Sequence, residues 1–295
     1  MSDPRLVRHA LGFLQVREPP TAEALRAYYA EAYYQGERGN YRKTYPEDEL
    51  AYLRLKLAQK AQIVGALRGG AAPGRMLDVG CGEGFALAWF EAVGWTVEGL
   101  DFSAAGVAAQ NPALLSRLTT GDVFQKLDER IAAGERYDLV WLNHVIEHVV
   151  DPVGLLRSLR RLVGPSGVLV VTAPNDGSEL QEELLSGGDI AERFWIALPD
   201  HLSYFTAESL RRTAQATGWA CRDLIGDFPI DLFLLHGGSN YVKDRTQGPE
   251  AHRARIRLER LLGRRDPDRV NAFYRAMAEV GLGRSLTAFL TPSPA

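Results

Sequence analysis

The sequence predicts an α/β fold in which a parallel sheet carries helices on both faces. Between residues 75 and 173, short apolar runs alternate with helix-forming segments, which is the pattern of a doubly wound sheet. The first apolar run, 76–79, is followed by glycines at every second position and then by a helix former; the glycines are Gly80, Gly82 and Gly84. Such a turn lets a ligand approach main-chain N–H groups, so we expect a binding site there.

The elements of this core are predicted in chain order. Strands are expected at 75–79, 95–101, 116–121, 137–142 and 167–173, with helices at 84–93, 103–110, 122–132 and 153–163. Segment 176–200 is an insertion, after which Thr206 caps a helix that ends at Thr217. A sixth strand is predicted at 219–226 and a last strand at 285–291, with a mostly helical segment between them.

Cap elements are predicted on both sides of the core. The N-terminal helical cap covers 1–68: a loosely held arm to Pro20, a helix from Thr21 to Tyr34, and a second helix over 46–67 with an apolar stripe. The rest of the chain divides into the core, a helical insertion, and the last strand with its tail, at 69–226, 227–283 and 284–295.

The composition argues against several classes of protein. A formal net charge of −3 gives no general attraction to nucleic acid or to an anionic membrane. No apolar run reaches the length of a membrane span, and the first residues lack the apolar core of a signal peptide. Two cysteines, Cys81 and Cys221, cannot form a disulfide framework, so we expect a reducing, cytoplasmic location.

Four segments in this order and spacing resemble the class I S-adenosylmethionine-dependent methyltransferases. They are Asp78 with its GxGxG turn, Asp101 after the second strand, Asp122 after the third, and the stretch 137–152. The resemblance runs from about residue 75 to residue 175. It implies a Rossmann-like seven-stranded sheet whose antiparallel last strand inserts between the fifth and sixth strands. It also implies that 1–68, 176–200 and 227–283 roof the substrate pocket.

The same resemblance implies S-adenosyl-L-methionine as the cofactor. Asp78 would accept a hydrogen bond near the amino end of the cofactor or orient the turn, and the three glycines would line the methionine moiety. Asp101 would accept both ribose hydroxyls, because one carboxylate has two acceptor oxygens. Phe102 would pack on the adenine ring. A helix cap is the competing role for Asp101, although Ser103 can also fill it.

Two further strand ends are candidate cofactor contacts by resemblance. Asp122 would accept from the adenine amino group, and the Val123 amide would donate to the ring, with an N-cap as the competing role for Asp122. Asn143 ends the fourth strand, where the family makes main-chain contacts to the cofactor. A nicotinamide enzyme also has an acid after its second strand, but its turn has the spacing GxGxxG, so an NAD-dependent oxidoreductase is disfavoured.

The stretch 137–152 resembles the fourth-strand segment of ubiquinone-biosynthesis-type methyltransferases, with a Glu-His pair, a hydrophobe and Asp-Pro. His144, Glu147 and His148 would share one face of a helical turn. Three hypotheses stay open: His148 is a general base or holds a substrate hydroxyl; the three residues bind a divalent metal with His201; or the group is structural. His201 precedes a Phe-Thr helix cap and is expected near His148, as a second catalytic candidate.

The predicted function is methyl transfer to a hydroxyl of a small molecule. A sugar or nucleotide sugar is the favoured acceptor, on a loose resemblance of the tail to glycan-pathway enzymes, and a specialised metabolite or phenol comes next. The alternatives are an RNA methyltransferase, which needs a basic aromatic surface, and a cofactor-binding protein without catalysis. A run of arginines between 253 and 269 is predicted to be a solvated helix face, or a phosphate-binding surface.

Overall fold

The structure is a computed structural model that describes residues 3–21, 24–25 and 44–294. The strands of these residues are β1 (Leu6–Arg8), β2 (Leu14–Val16), β3 (Arg75–Val79), β4 (Thr96–Asp101), β5 (Leu118–Thr120), β6 (Tyr137–Asn143), β7 (Val163–Pro174), β8 (Ser203–Tyr204), β9 (Trp219–Gly226) and β10 (Ser285–Pro292). Their helices are α1 (Glu47–Leu67), α2 (Phe85–Ala92), α3 (Ala105–Gln110), α4 (Val123–Ala132), α5 (Pro152–Leu162), α6 (Glu179–Ser186), α7 (Ala207–Ala216), α8 (Gly248–Leu262) and α9 (Pro267–Glu279). None of these helices is long and apolar enough to cross a membrane.

The core is a seven-stranded sheet in the order β5-β4-β3-β6-β7-β10-β9. The strands from β5 to β7 are parallel, and β10 runs antiparallel to both β7 and β9. This confirms the Rossmann-like sheet and the antiparallel last strand that the sequence predicts. The antiparallel direction of β10 brings Ser285, at its start, beside Pro174, at the end of β7.

Strand alternation divides the core into two apolar layers. On β3, Leu77 packs with α4 and α5, whereas Met76 packs with α1, α2 and α9 on the opposite face. Asp78 shares the face of Met76, because side chains two apart on a strand point the same way. The same alternation places four polar side chains at the ends of neighbouring strands, on the face of the sheet that α1 covers: Asn143, Thr172, Ser285 and Thr287.

The N-terminal arm differs from the expectation. β1 and β2 form a hairpin, and β2 pairs with β8, giving a separate three-stranded sheet. Phe13 is 1% exposed, and its ring centroid lies 4.9 Å from that of Phe205. The prediction of a loosely held arm is therefore wrong, because a non-local strand pairing holds it. Most of the helix predicted from Thr21 falls outside the described residues.

The insertion 176–200 also lies elsewhere than expected. Leu184 of α6, Ile190 and Trp195 are buried against the N-terminal hairpin and β8. A large cavity lies above the ends of β3, β6, β7 and β10, and none of the residues of this insertion lines it. Among the predicted roof elements in the described chain, α1 and α8 supply its walls instead.

Candidate active site

The turn after β3 needs glycine for two separate reasons. Gly80, Gly82 and Gly84 have φ angles of +71°, +55° and +75°, a region that side chains with a Cβ disfavour. A Cβ on Gly80 would also lie 2.4 Å from Cγ2 of Val145. The turn therefore packs closely against the segment after β6, which brings the glycines to the predicted chemical end of the site.

Asp101 ties this turn to the end of β4. One oxygen of its carboxylate accepts from the Gly82 N–H at 2.8 Å, and the other accepts from the Ser103 N–H at 3.1 Å. Ser103 accepts in turn from the Ala105 N–H, so it supplies the local turn contact at the start of α3. Asp101 is 5% exposed and does not line the large cavity. Asp101 therefore stabilises the conformation of the glycine turn.

Asp78 faces the large cavity from the end of β3. It is 3% exposed, and its burial, together with the charge of Asp101, raises its pKa to about 8. A carboxyl group with this pKa is mostly protonated at neutral pH. A cationic ligand group beside Asp78 would favour the ionised form and lower the pKa again.

The other predicted cofactor residues gather on the β4–β5 side of the turn. The Gly121 N–H donates to the Asp101 carbonyl at 3.0 Å, so the ends of β4 and β5 are adjacent. Asp122 caps α4 by accepting from the Gln125 N–H, Val123 is buried, and Phe102 packs against the core. The structure thus brings these residues together, and the capping role expected as the alternative for Asp122 is present.

A cavity of about 630 Å³ lies above the ends of β3, β6, β7 and β10. Its floor carries the glycine turn together with Asp78, Asn143, Thr172 and Thr287. Its roof is formed by α1 and α8, which contribute Tyr52, Lys56, Lys60, His252 and Arg255. This volume falls within the range of small-molecule sites, which is about 300–1,000 Å³.

Lys60 is one of the cavity residues that the sequence did not predict. Its ammonium nitrogen, Nζ, lies 3.0 Å from Thr172 Oγ1 and 3.3 Å from Asn143 Oδ1. Burial, and then the charge of Lys56, lower the pKa of Lys60 to about 7. In the sequence it is one lysine on an amphipathic helix, and only the docking of α1 on the sheet distinguishes it.

Of the three predicted residues after β6, only His144 lines the cavity. Its backbone has a φ of +54°, and the segment after it forms a turn rather than a helix. Nδ1 of His144 lies 3.0 Å from Oε1 of Glu147. Burial would raise the pKa of Glu147, but the hydrogen bond and the charge of His144 hold it below its usual value.

His148 and His201 lie together but do not line the cavity. Their ring centroids are 4.9 Å apart, and Nδ1 of His148 is 2.9 Å from the Asp200 carbonyl oxygen. Burial would lower the pKa of His148, yet the contact with Asp200 and the charge of Glu147 raise it. The structure thus brings the two predicted base candidates together, outside the lining of the cavity where an acceptor would bind.

Glu147, His148 and His201 also form a group that could hold a metal ion, since one ligand atom from each lies within 4.8 Å of the others. Oε2 of Glu147 and Nδ1 of His201 are buried without a hydrogen-bond partner in the described part of the chain. One carboxylate and two imidazoles suit zinc or ferrous iron better than magnesium. His144 is not part of this group, contrary to the predicted four-residue set.

The arginine run is mostly a solvated face. Arg253, Arg257 and Arg260 on α8 are exposed, as are Arg264, Arg265 and Arg269 after it. Arg255 is the exception: it lines the cavity, and its Nη2 is 2.9 Å from Nδ1 of His252.

The strand order, the left-handed glycine turn and the acids after β3 and β4 define a class I S-adenosylmethionine-dependent methyltransferase. Comparison with known proteins agrees with this class. The family described as "Methyltransferase domain" matches residues 40–224. This is more than half of the chain, which therefore belongs to that methyltransferase family.

Two relatives are named ubiquinone biosynthesis O-methyltransferase. The protein of Rhodopseudomonas palustris strain TIE-1 is 37% identical over 101 residues, covering 34% of this chain and 40% of the relative. That of strain BisA53 is 32% identical over 155 residues, covering 52% and 60%. The chain thus spans about half the length of these curated relatives.

Two solved structures share the fold. The 1,6-didemethyltoxoflavin-N1-methyltransferase of Burkholderia thailandensis, with S-adenosylhomocysteine bound, has a TM-score of 0.54 at 16% identity and covers 99% of this chain and 97% of its own. A SAM-dependent methyltransferase from Archaeoglobus fulgidus has a TM-score of 0.50 at 19% identity and covers 81% and 93%.

Proposed function

We propose that this protein transfers a methyl group from S-adenosylmethionine to a hydroxyl group of a small molecule. The observation that carries the proposal is the cavity of about 630 Å³ that opens directly on the glycine turn and is walled by α1 and α8. A cavity of this size holds a small acceptor beside the cofactor's reactive end. A rigid turn on one side and a fixed roof on the other would align the two reactants, which is the main task in this reaction.

The cofactor would lie across the ends of β5, β4, β3 and β6. When bound, it supplies a methyl group that its sulfonium already activates. We assign the backbone of Gly80, Gly82 and Gly84 and the carboxyl of Asp78 to its methionine end. Asp101, Phe102, Asp122 and Val123 are assigned to the adenosine side, as the sequence predicts, and Asn143 to a main-chain contact with the cofactor at the end of β6.

A phenol-type acceptor is favoured over a sugar. Tyr45, Tyr52, Phe85 and Trp141 line the cavity, and aromatic walls suit a flat apolar ring. The two relatives named above are O-methyltransferases, which supports oxygen as the acceptor atom. A sugar or nucleotide sugar, the acceptor expected from the sequence, stays the alternative, supported by Arg255 in the cavity wall.

We also propose that Glu147, His148 and His201 hold a divalent ion. The unpartnered Glu147 Oε2 supports this, and so does the contact of His148 Nδ1 with a backbone carbonyl, which is the usual outer contact of a metal-bound histidine. Asp176, whose Oδ2 lies 3.6 Å from His201 Nδ1, would orient the His201 ring in the same way. Because the group lies outside the cavity lining, its role would be to join the 197–203 segment to the end of β6. The sequence prediction that His148 or His201 is the base stays a prediction.

The proposal is tested by incubating the purified protein with S-[methyl-³H]adenosylmethionine and three acceptors. These are 3,4-dihydroxybenzoate, UDP-glucose and a structured RNA fragment. We expect the label in the product formed from 3,4-dihydroxybenzoate. No label should be incorporated when the reacting hydroxyl of the acceptor is already methylated. Label in RNA would overturn the small-molecule assignment, and label in UDP-glucose alone would replace the phenol by the sugar.

A further inference from the structure

Lys60 lies at the junction of the roof and the sheet. It comes from the C-terminal half of α1 and reaches the ends of β6 and β7, where Asn143 and Thr172 stand. Trp141 lies below it, with the ring centroid 5.6 Å from Nζ. Lys60 and Asn143 line the same cavity as Asp78 and the glycine turn.

A neutral amine can satisfy the contacts of Lys60. A neutral amine has two N–H donors and one lone pair. Two oxygen acceptors, on Thr172 and Asn143, lie within hydrogen-bond distance of Nζ at 3.0 and 3.3 Å. Among the described residues, no carboxylate lies within ion-pair distance of this nitrogen, whereas Lys56, one turn earlier, is paired with Glu259 at 3.1 Å. In the neutral form, Lys60 donates to both oxygens and keeps its lone pair for a group in the cavity.

The charges around Lys60 act in both directions. Burial and the Lys56 charge favour the neutral amine, and the carboxyl groups of Asp227 and Glu259 oppose them, with a resulting pKa of about 7. Burial also raises the pKa of Asp227, which weakens its opposition. Among the described residues, the other carboxyl, histidine and arginine side chains that line the cavity are Glu49, Asp78, Glu83, His144, His252 and Arg255. A neutral amine also avoids a second cation beside the sulfonium of the cofactor.

From this geometry we infer that Lys60 is the general base of the reaction and that its substrates are hydroxyl acceptors of the phenol class. The inference rests on the proposed function. In the step, the hydroxyl proton passes to Nζ of Lys60, the hydroxyl oxygen forms its bond to the methyl carbon, and the carbon–sulfur bond breaks with its electron pair left on sulfur. The products are a methyl ether, a thioether and a lysine ammonium that loses its proton to solvent.

The first test measures the titration of the Lys60 amine and needs no enzymatic turnover. Trace labelling with acetic anhydride between pH 5 and 10, read by mass spectrometry, gives the titration of each lysine in the intact protein. We expect a midpoint near 7 for Lys60. A midpoint above about 9 for Lys60 would overturn the inference, because the amine would then be charged at neutral pH.

The second test separates a base from a cation that holds the acceptor. With 3,4-dihydroxybenzoate, kcat/KM should rise with pH through about 7 and level off above it. Lys60→Met should lower kcat by about 100-fold to 10,000-fold with little change in KM, and Lys60→Arg should be as poor, because arginine takes up no proton at these pH values. Lys243→Met is the control and should match the wild type. Full activity in Lys60→Arg, or a loss confined to KM, would contradict the base assignment.

An acceptor that is already ionised completes the design. With 4-nitrocatechol as its anion, the acceptor needs no base, so the loss in Lys60→Met should shrink to less than about tenfold. An equal loss with both acceptors would mean that Lys60 only shapes the cavity. Absence of methylation by the wild type would overturn the proposed function itself. Wild-type methylation that Lys60→Met leaves intact would overturn the role of Lys60 alone.

Discussion

The Asp101 carboxylate accepts a hydrogen bond from the Gly82 amide at 2.8 Å, and its second oxygen accepts from the Ser103 amide at 3.1 Å. One side chain therefore fixes the glycine turn after β3 against the end of β4. Because each carboxylate oxygen has a further acceptor position, this role is compatible with binding of the ribose hydroxyls.

The first prediction concerns Asp101. Asp101→Ala should lower the affinity for S-adenosylmethionine by about 10- to 100-fold, since it removes charged hydrogen bonds to the ribose and loosens the turn. Titration calorimetry measures the loss, and Asp128→Ala, on the exposed side of α4, should bind normally. Unchanged affinity in Asp101→Ala would mean that the carboxylate has no part in ribose binding.

The second prediction concerns the pH dependence of Asp78. Its pKa is about 8 in the folded chain, against 3.8 for an aspartate in water, so the folded state retains a proton that the unfolded chain releases above about pH 4. Stability from this group is therefore complete below about pH 4 and is lost as pH rises to about 8. Asp78→Asn mimics the protonated form. It should raise the melting temperature of the ligand-free protein by several degrees at pH 8 and by much less at pH 5.

The matched control for Asp78 is Asp128→Asn, which should show no such pH dependence because Asp128 is exposed. Asp78→Asn should also bind S-adenosylmethionine more weakly, since the charge that faces the methionine end is gone. If Asp78→Asn raised the melting temperature, relative to the wild type, more at pH 5 than at pH 8, the buried carboxyl of Asp78 would be ionised in the folded protein.

The third prediction compares two glycines with similar backbones. Gly80 and Gly70 have φ angles of +71° and +73°, but only at Gly80 would a Cβ collide, 2.4 Å from Val145. Gly80→Ala should abolish cofactor binding, while Gly70→Ala should cost about 1 kcal/mol of stability from backbone strain and leave binding intact. Calorimetry and thermal melts separate the two effects. Equal binding by both variants would remove the turn from the cofactor site.

The fourth prediction concerns the proposed metal group. Zinc added to chelator-treated protein should raise its melting temperature, since a ligand at about 100 times its dissociation constant stabilises by about 2.7 kcal/mol. His148→Ala and His201→Ala should lose this response, and His236→Ala, which alters an exposed histidine, should keep it. A response that survives in His148→Ala would place the metal elsewhere, and no response at all would make the group structural.

The fifth prediction concerns a buried ion pair. Nη1 of Arg284 lies 2.6 Å from Oδ1 of Asp176, whose side chain is 1% exposed. Arg284→Met leaves the buried Asp176 charge with only the His201 ring beside it, at 3.6 Å, and should cost about 3–5 kcal/mol in the free energy of unfolding. Arg212→Met breaks the exposed pair with Glu208 and should cost less than about 1 kcal/mol. Denaturant titration compares them, and similar costs would mean that Asp176 is already neutral.

Local patterns predicted most of the core. The sixth strand is predicted at 219–226 and observed as Trp219–Gly226, and the helix over 46–67 is observed as Glu47–Leu67. Both segments carry their own periodicity and end signals. The glycine turn and its acids are also marked by sequence spacing, and the family resemblance assigns them to the cofactor; that assignment stays a prediction.

Non-local contacts account for what was missed. The three-residue strands β1 and β2 are stabilised by pairing with β8, which lies far along the chain, so no local pattern marks them. Residues 144–148 do not form the predicted helical turn, because His144 takes a left-handed backbone conformation that changes the direction of the chain. Lys60 lies in the site because α1 packs over β6 and β7, and this packing is a non-local contact that no local pattern marks.

The central claim is that the glycine turn binds S-adenosylmethionine, and calorimetric titration of the purified protein with S-adenosylmethionine and with NAD tests it most directly. We predict binding of S-adenosylmethionine with a dissociation constant on the order of micromolar and no heat with NAD. Binding of NAD in preference to S-adenosylmethionine, or binding of neither, would contradict the account.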